Sequence, residues 1–309
     1  MNIQNWRRCA AVLLSAFALA VHAQAPVRDQ EAEMKAATDA ARTVAKQGPA
    51  DIALKDQATL KLPEGYTFIP QPEADQLLRA MGNGADPRRI GIILRDGSNA
   101  FVVARYYDSG YVKDEEAKDW QADELLNGLK EGTEEGNKER AQLGIPPVEI
   151  VGWVETPAYD AATHQLVWSI ETREKNASAD DTRGINYNTY VLGREGYLSL
   201  NLVTTKDAVG EDKYIASSLL KATSFNDGKT YADFNASTDK VAEYGIAALV
   251  AGAAAKKLGF FAVIAAFLVK FAKVIGIAVV GLIAVLGGLF KKKTASVVSG
   301  TDDAGKSQG

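Results

Sequence analysis

The stretch NYNTYVLGREGYLSLNLVTTKD, residues 186–207, carries a strong strand pattern. In its second half Leu198, Leu200 and Leu202 alternate with polar residues, which is the period of a strand that buries one face. The segment 193–196 contains two glycines and interrupts this pattern, as a turn does. The stretch therefore predicts a β-hairpin with one apolar face, which belongs to an antiparallel sheet.

Other segments repeat this pattern or have helical composition. Two further hairpins are predicted, one turning at Asp96-Gly97 and one at 160–163. Residues 58–70 predict two short strands around a Pro-Glu-Gly turn. Helices are predicted over 29–46, 73–82 and 208–222, with a long polar helix that begins near Asp114 as its cap and a short strand near Tyr231. The order indicates an α+β fold with a mostly antiparallel sheet, packed helices and one C-terminal transmembrane helix.

The two ends of the chain predict export and anchoring. Arg7 and Arg8 precede an apolar run from Cys9 to Val21, and Ala23 ends a Val-His-Ala segment, the order of a secretory signal peptide. The expected organisation is a signal peptide (1–23), a helical stalk (24–48), an extracytoplasmic α+β domain (49–235), a membrane-proximal helix (236–273), a transmembrane helix (274–290) and a cytoplasmic tail (291–309).

The transmembrane prediction rests on an uncharged apolar segment. Val274 to Phe290 are 17 residues without a charge, roughly 25 Å of helix, which is the lower limit for crossing the hydrocarbon core. Lys291, Lys292 and Lys293 follow as a stop-transfer cluster and favour the cytoplasmic side. The expected location is the inner membrane, as a single-pass protein with its main domain in the periplasm.

Small residues within the predicted span indicate a possible contact between copies. Gly281 and Gly288 lie on one helical face with Ala284, and small residues let two membrane helices approach closely. A weak homo-oligomer through this face is one hypothesis. The alternative is that glycine and alanine are simply frequent in membrane spans.

Charge and cysteine content restrict the partners. Residues 24–243 contain 25 Lys and Arg against 37 Asp and Glu, a net charge of −12, which argues against nucleic acid. From residue 244 onward 8 Lys face 2 Asp, a net charge of +6, which fits an anionic lipid surface. The expected partners are therefore membrane lipid and an unidentified envelope protein. Cys9, the only cysteine, lies within the signal peptide, so no disulfide is expected after cleavage.

Four residues are candidates for a binding site: Trp120, Trp153, His164 and Trp168. Trp153 and Trp168 lie on two strands predicted to pair, with Tyr159 near their turn, and core packing competes with a ligand groove as the interpretation. Trp120 is predicted on the helix face opposite the apolar stripe, where it would be exposed or bind a ligand. With His164 as the only histidine outside the signal peptide, no zinc site and no cofactor are expected.

Glycines at positions 128, 132 and 136 recur every four residues in the long polar helix. Each costs a helix about 1 kcal/mol relative to alanine. Close packing of this glycine face against the sheet is predicted in preference to a break in the helix.

Three segments resemble a bacterial family of uncharacterised membrane-anchored proteins that share a domain of unknown function. They are GYVKDEEAKDWQADELLNGLKEGTEEGNKERAQLGIPPVEIVGW (110–153), PAYDAATHQLVWSIE (157–171) and NYNTYVLGREGYLSLNLV (186–203). The resemblance extends over about Ile52 to Lys293 and implies the architecture, while the family brings no established reaction.

A second resemblance concerns the order of elements alone. A strand, Gly-Tyr and strand at 60–69, a long helix, hairpins, and a late helix followed by TSFND at 223–227 are similar to the Mog1/PsbP-like α+β sandwich. This similarity implies a fold and no activity.

Three classes of function remain open from the sequence. The first is a non-catalytic, membrane-anchored extracytoplasmic module that binds or scaffolds envelope components, and hence not an enzyme. The second is an envelope enzyme that uses carboxylates and hydroxyls alone, which a cluster of carboxylates with raised pKa values in one cleft would favour. The third is an oligomeric membrane protein in which 244–293 forms a hairpin or pore.

Overall fold

The computed structural model describes residues 30–81, 83–142, 144–178, 181 and 183–251. The predicted signal peptide, transmembrane helix and cytoplasmic tail lie outside these residues, as do Gly281, Gly288 and the lysines at 291–293. Among the residues that the structure describes, no helix has the length and apolarity needed to cross a membrane.

A large antiparallel sheet forms the centre of the fold, as the alternating sequence predicts. It has eight strands in the order β1-β4-β5-β6-β10-β9-β8-β7, and every neighbouring pair is antiparallel. The strands are β1 (Lys46–Gln47), β4 (Tyr66–Pro70), β5 (Arg89–Arg95), β6 (Phe101–Tyr107), β7 (Val148–Asp160), β8 (Gln165–Glu174), β9 (Gly184–Leu192) and β10 (Tyr197–Thr205). The mixed α+β class with an antiparallel sheet is confirmed.

The three predicted hairpins are present: β5 with β6, β7 with β8, and β9 with β10. In β10 the alternation works as the sequence indicates, because Leu198, Leu200 and Leu202 are at most 1% exposed on one face of the sheet. We call this side the leucine face. The opposite side carries Tyr107, Tyr197 and their neighbours, and we call it the tyrosine face.

A second sheet and a helix cover the leucine face. The sheet has the order β11-β3-β2 and consists of β2 (Ala50–Leu54), β3 (Ala58–Leu62) and β11 (Thr223–Phe225). The helix α4 (Val209–Lys221) buries Ile215, Ala216 and Leu219 in the same cluster. Both strands predicted within 58–70 exist, but β3 and β4 belong to different sheets, since the chain crosses from one layer to the other between them.

Two helices pack at one end of the tyrosine face. They are α1 (Gln30–Val44) and α2 (Glu73–Ala80). Helix α1 was predicted as a stalk, but it is part of the packed domain. Met34, Ala37 and Ala41 are 7, 4 and 0% exposed and contact the cluster that includes Ile69 and Ile92 of the sheet. Small alanine side chains let α1 lie close to its neighbours.

The long helix and the C-terminal part of the described chain cover the other end of the tyrosine face. Helix α3 (Ala122–Gln142) is unbroken and follows a 3-10 helix at Glu115–Lys118. The short strand expected near Tyr231 is a 3-10 helix, Tyr231–Asp233. The helix α5 (Ala248–Ala251) ends the described chain.

The predicted domain boundary at 235 and the helix from 236 need correction. The Tyr111 amide donates to the Lys240 carbonyl (2.8 Å) and the Ala242 amide to the Tyr111 carbonyl (2.9 Å). Lys240 and Ala242 therefore form backbone hydrogen bonds with a distant segment, and they are not part of a helix. Ile246 and Val250 are 0 and 1% exposed within the same core, so the domain continues to at least residue 251.

Candidate functional site

Five aromatic rings form a continuous row across the tyrosine face. The row crosses five adjacent strands, β6, β10, β9, β8 and β7, and its members are Tyr107, Tyr197, Tyr190, Trp168 and Trp153. Successive ring centroids lie 4.6, 5.8, 6.4 and 6.0 Å apart, which is the range in which aromatic pairs attract one another. Register alone produces the row, because residues opposite or diagonal to one another share a face.

The tryptophan end of this row is core. Trp168 is 5% exposed, and the Trp153 indole N–H donates to the Ala122 carbonyl at the start of α3 (3.3 Å). Trp120 lies before α3 and packs against the same cluster, so its predicted position on the exposed face of a helix is wrong. The three tryptophans thus meet in one cluster that holds helix and sheet together.

The tyrosine end of the row is less completely covered. Tyr197 is 6% exposed, whereas Tyr107 and Tyr190 are half-buried. Burial raises the pKa of both Tyr190 and Tyr197, so these phenols stay protonated and can donate. In the part of the chain that the structure describes, the hydroxyls of Tyr107 and Tyr190 have no hydrogen-bond partner.

Polar residues lie beside these two tyrosines on the same face. We define the central strip as Arg105, Tyr107, Asn186, Tyr190 and Asn201, all half-buried. Strand pairing places them together, since Ser199 pairs with both Arg105 and Tyr190, and Asn201 pairs with Asn188. The Asn201 side-chain amide donates to the Asn188 side-chain oxygen (2.7 Å). The strip lies between the cluster of α1 and α2 and the cluster of α3 and α5.

Arg105 of the strip and the neighbouring Arg88 share one carboxylate. The Nε atoms of Arg88 and Arg105 lie 2.7 and 2.9 Å from the two carboxylate oxygens of Asp86. Burial would raise the pKa of Asp86, but hydrogen bonds from Arg88 and Arg105 lower it to about 2. The Arg88 guanidinium lies over the Tyr107 ring, 4.8 Å from its centroid, a cation–π distance.

His164 lies elsewhere, in a chain of hydrogen-bonding groups at the β7–β8 turn. The Tyr159 hydroxyl donates to Asp114 Oδ2 (2.7 Å), and His164 Nδ1 lies 3.1 Å from the same hydroxyl. The histidine ring lies 4.1 Å from that of Tyr231. Burial, and then the bond to Asp114, raises the pKa of Tyr159. Asp114 makes no side-chain cap bond to the helix that follows it, so its predicted capping role is wrong.

This chain of groups fixes the histidine tautomer. The Tyr159 hydroxyl has one proton, which it donates to Asp114, so its oxygen accepts from Nδ1–H of His164. In neutral His164 the Nε2 atom then keeps its lone pair. Asp160 orders the turn by accepting from the Ala162 amide (2.9 Å) and the Thr163 hydroxyl (2.9 Å). His164 itself has a φ of 52°, in the left-handed region.

A shallow cleft of about 220 Å³ opens next to Arg194 and Glu195. Three of its charged groups are ion-paired within the fold. Arg194 binds Asp239 through two nitrogens, at 2.6 and 2.8 Å, and Glu195 accepts from Lys229 at 2.7 Å. These ion pairs satisfy Arg194 and Glu195, while Asp108 and Lys240 line the rest of the cleft. Within the described ranges, no group of three or more His, Cys, Asp or Glu residues is arranged to hold a metal ion.

The structure thus separates the predicted site residues. Trp120, Trp153 and Trp168 share one cluster, and His164 belongs to the Asp114–Tyr159 group. Sequence reasoning missed the central strip and the neighbouring Arg88. One signal was present in the segment NAFVVARYYDSGYV, where Arg105 has the same strand parity as Val103 and Tyr107. An arginine at such a position faces the packed side of a sheet and needs a partner there.

Comparison with known proteins identifies the family. Residues 46–283 match the family described as "Protein of unknown function (DUF2167)", and the chain belongs to this family. The resemblance to an uncharacterised family is therefore confirmed. No curated protein matches the chain. Among solved structures, the solution structure of cyanobacterial PsbP (CyanoP) from Synechocystis sp. PCC 6803 is similar. That match has 11% identity, covers 59% of this chain and 91% of that chain, and has a TM-score of 0.36.

Proposed function

We propose that this protein is a non-catalytic binding module of the bacterial envelope, anchored in the inner membrane with its α+β domain in the periplasm. The secretory pattern at 1–23 and the lysine-flanked apolar segment at 274–290 support the location. The observation that carries the binding role is the central strip, where the hydroxyls of Tyr107 and Tyr190 have no partner in the described part of the chain.

The position of the strip suits recognition. Its residues extend from three neighbouring strands, β6, β10 and β9, and each strand is held by pairing on both sides. Side chains on such strands are already ordered, so a ligand loses little affinity to their immobilisation. Hydroxyl, amide and guanidinium groups are half-buried there and can exchange water for a ligand.

A sedimentation experiment tests this function. The purified full-length chain is mixed with isolated peptidoglycan, or floated with inner-membrane vesicles, and the bound fraction is measured. The variant Tyr107→Phe/Tyr190→Phe removes only two hydroxyls, and we expect its bound fraction to fall several-fold. Tyr214→Phe is the matched control, because Tyr214 is 62% exposed on α4, which packs on the leucine face. Equal binding of all three proteins would contradict the role of the strip.

A second candidate function, an envelope enzyme, is favoured by the Asp114–Tyr159–His164 group. A carboxylate and a phenol that orient an imidazole leave Nε2 as a base, the arrangement that general-base catalysis requires. Hydrolysis of p-nitrophenyl acetate by the full-length chain tests this candidate. Hydrolysis that is lost in His164→Gln and retained in Tyr214→Phe would contradict the non-catalytic proposal. The pore hypothesis concerns 244–293, of which the structure describes only 244–251.

A further inference from the structure

The Arg88–Asp86–Arg105 group has hydrogen-bonding capacity that the fold does not use. Each arginine directs its Nε–H to Asp86, at 2.7 and 2.9 Å. In the described part of the chain, the terminal NH₂ groups of both guanidinium ions have no acceptor. Their side chains are 54% and 21% exposed for Arg88 and Arg105, against 12% for Asp86. Asp86 is therefore the most buried of the three side chains, and Arg88 is the most exposed.

The fold also fixes where these nitrogens lie. Arg105 belongs to the central strand β6, and Arg88 immediately precedes β5, where its carbonyl accepts from the Tyr106 amide (3.0 Å). The Arg88 guanidinium lies over Tyr107, whose ring stacks on Tyr197 with an interplanar angle of 10°. The Asp86 carboxylate thus orients both guanidinium groups before a ligand binds. The Tyr107 ring also orients that of Arg88.

The charges at this point do not cancel. Asp86 neutralises one of the two guanidinium ions, and one positive charge is left over. Arg89, the next residue, is paired with Asp75 and contributes no surplus. The neighbouring members of the central strip, Tyr107, Tyr190 and Asn201, are neutral. A local positive charge in a segment of net charge −12 favours an anion at this point.

We propose that Arg88 and Arg105 form an oxyanion-binding site that accepts a carboxylate or phosphate group of the ligand. This inference rests on the proposed function, because it names the chemistry that the central strip recognises. The terminal NH₂ groups match the spacing of two oxygens on a carboxylate or phosphate, which arginine binds in pairs. The free hydroxyls of Tyr107 and Tyr190 lie beside them and can donate to a further oxygen.

Arginine-specific labelling tests the site in the full-length chain. Phenylglyoxal modifies accessible guanidinium groups, and peptide mass spectrometry measures its rate at each arginine. We expect inorganic phosphate, glucuronate or both to slow labelling of Arg88 and Arg105 several-fold. Glucose is the uncharged match for glucuronate. Arg95 is the internal control, since it is exposed and lies over Tyr214, 5.8 Å from the ring centroid. The two anions distinguish a phosphate from a carboxylate ligand.

Calorimetric titration with the protecting anion provides a second measurement. Arg105→Gln should weaken its affinity about tenfold, the loss expected for one charge-assisted donor group. Arg95→Gln removes the same charge elsewhere and should change the affinity less than about twofold. Equal protection of Arg88, Arg105 and Arg95 would show an adventitious ion only and would overturn the proposal.

The outcomes also separate this inference from the proposed function. If neither anion protects Arg88 or Arg105, the oxyanion site is wrong, even where Tyr107→Phe/Tyr190→Phe still loses envelope binding. If the anions protect both arginines but the tyrosine variant binds the envelope as the native chain does, the site stands and the proposed function fails.

Discussion

Alternate residues of a single strand, β10, serve two different regions. Leu198, Leu200 and Leu202 lie on the leucine face, at most 1% exposed beneath a second sheet and a helix. Ser199 and Asn201 lie on the tyrosine face, where Asn201 belongs to the half-buried central strip. The leucine face is apolar and closed, whereas the strip is polar and partly open. Burial of apolar area stabilises the leucine face. The central strip instead contains hydrogen-bond donors that the described part of the fold does not use, the hydroxyls of Tyr107 and Tyr190.

The largest expected effect comes from breaking the leucine face. Leu200→Ala removes a fully buried side chain that its rigid neighbours cannot replace, so the free energy of unfolding should fall by about 3–5 kcal/mol. Asn201→Ala, one residue along, removes one side-chain hydrogen bond and should cost about 1 kcal/mol. Urea denaturation of the two full-length variants measures both values. Equal losses would mean that the two faces do not differ in this way.

A smaller effect on the free energy of unfolding is expected when Asp86, beside the central strip, is protonated at low pH. The folded pKa of Asp86 is about 2, below its usual 3.8. Its ionised form therefore stabilises the fold above pH 3.8, and this contribution is lost as the pH falls from 3.8 towards 2. The difference corresponds to about 2 kcal/mol.

Asp86→Asn tests this assignment. Between pH 5 and pH 2, a range that covers most of the titration, the native chain should lose about 2 kcal/mol more unfolding free energy than the variant. Urea denaturation at each pH measures the difference. Parallel pH dependence of the two proteins would mean that Asp86 is not held by its arginines in solution.

The smallest expected effect comes from replacing glycines on helix α3, which also has a buried and an open side. Leu125 is 5% exposed in the core, but a Cβ atom built at Gly132 or Gly136 meets nothing within 4 Å. The predicted close packing of these two glycines is therefore wrong. Gly132→Ala and Gly136→Ala should each stabilise the protein by about 0.5–1 kcal/mol, because alanine restricts the unfolded chain and favours helix. A rise in the thermal midpoint measures the gain, and a fall would indicate an unseen contact.

The sequence was sufficient for most of the long strands and helices but not for their assembly. Period-2 alternation located β9 and β10, and Asp96-Gly97 located the turn between β5 and β6. These signals are local. The position of β3 in another sheet than β4 depends on partners distant in sequence, namely Ala58 opposite Phe225. The sequence of helix α1 is only weakly apolar. Its alanines contribute to the core because the sheet packs against them, which the segment alone does not show.

The candidate site was predicted in part, for the same reason. Trp153 and Trp168 were expected to be neighbours because their strands form a hairpin. The pairing of Arg88 with Arg105 was not foreseen, since it requires the turn before β5 and the middle of β6 to meet at Asp86. Likewise the contact between Asp114 and Tyr159 spans 45 residues. Such contacts follow from the three-dimensional register, which no single segment specifies.

Photo-crosslinking in growing cells tests most directly the claim that the central strip is the recognition surface. p-Benzoylphenylalanine replaces Tyr190 in one full-length protein and Tyr214 in another, and both cultures are irradiated. The account predicts a discrete adduct of higher mass from position 190 and none from position 214. No adduct at 190, or the same adduct at both positions, would contradict it.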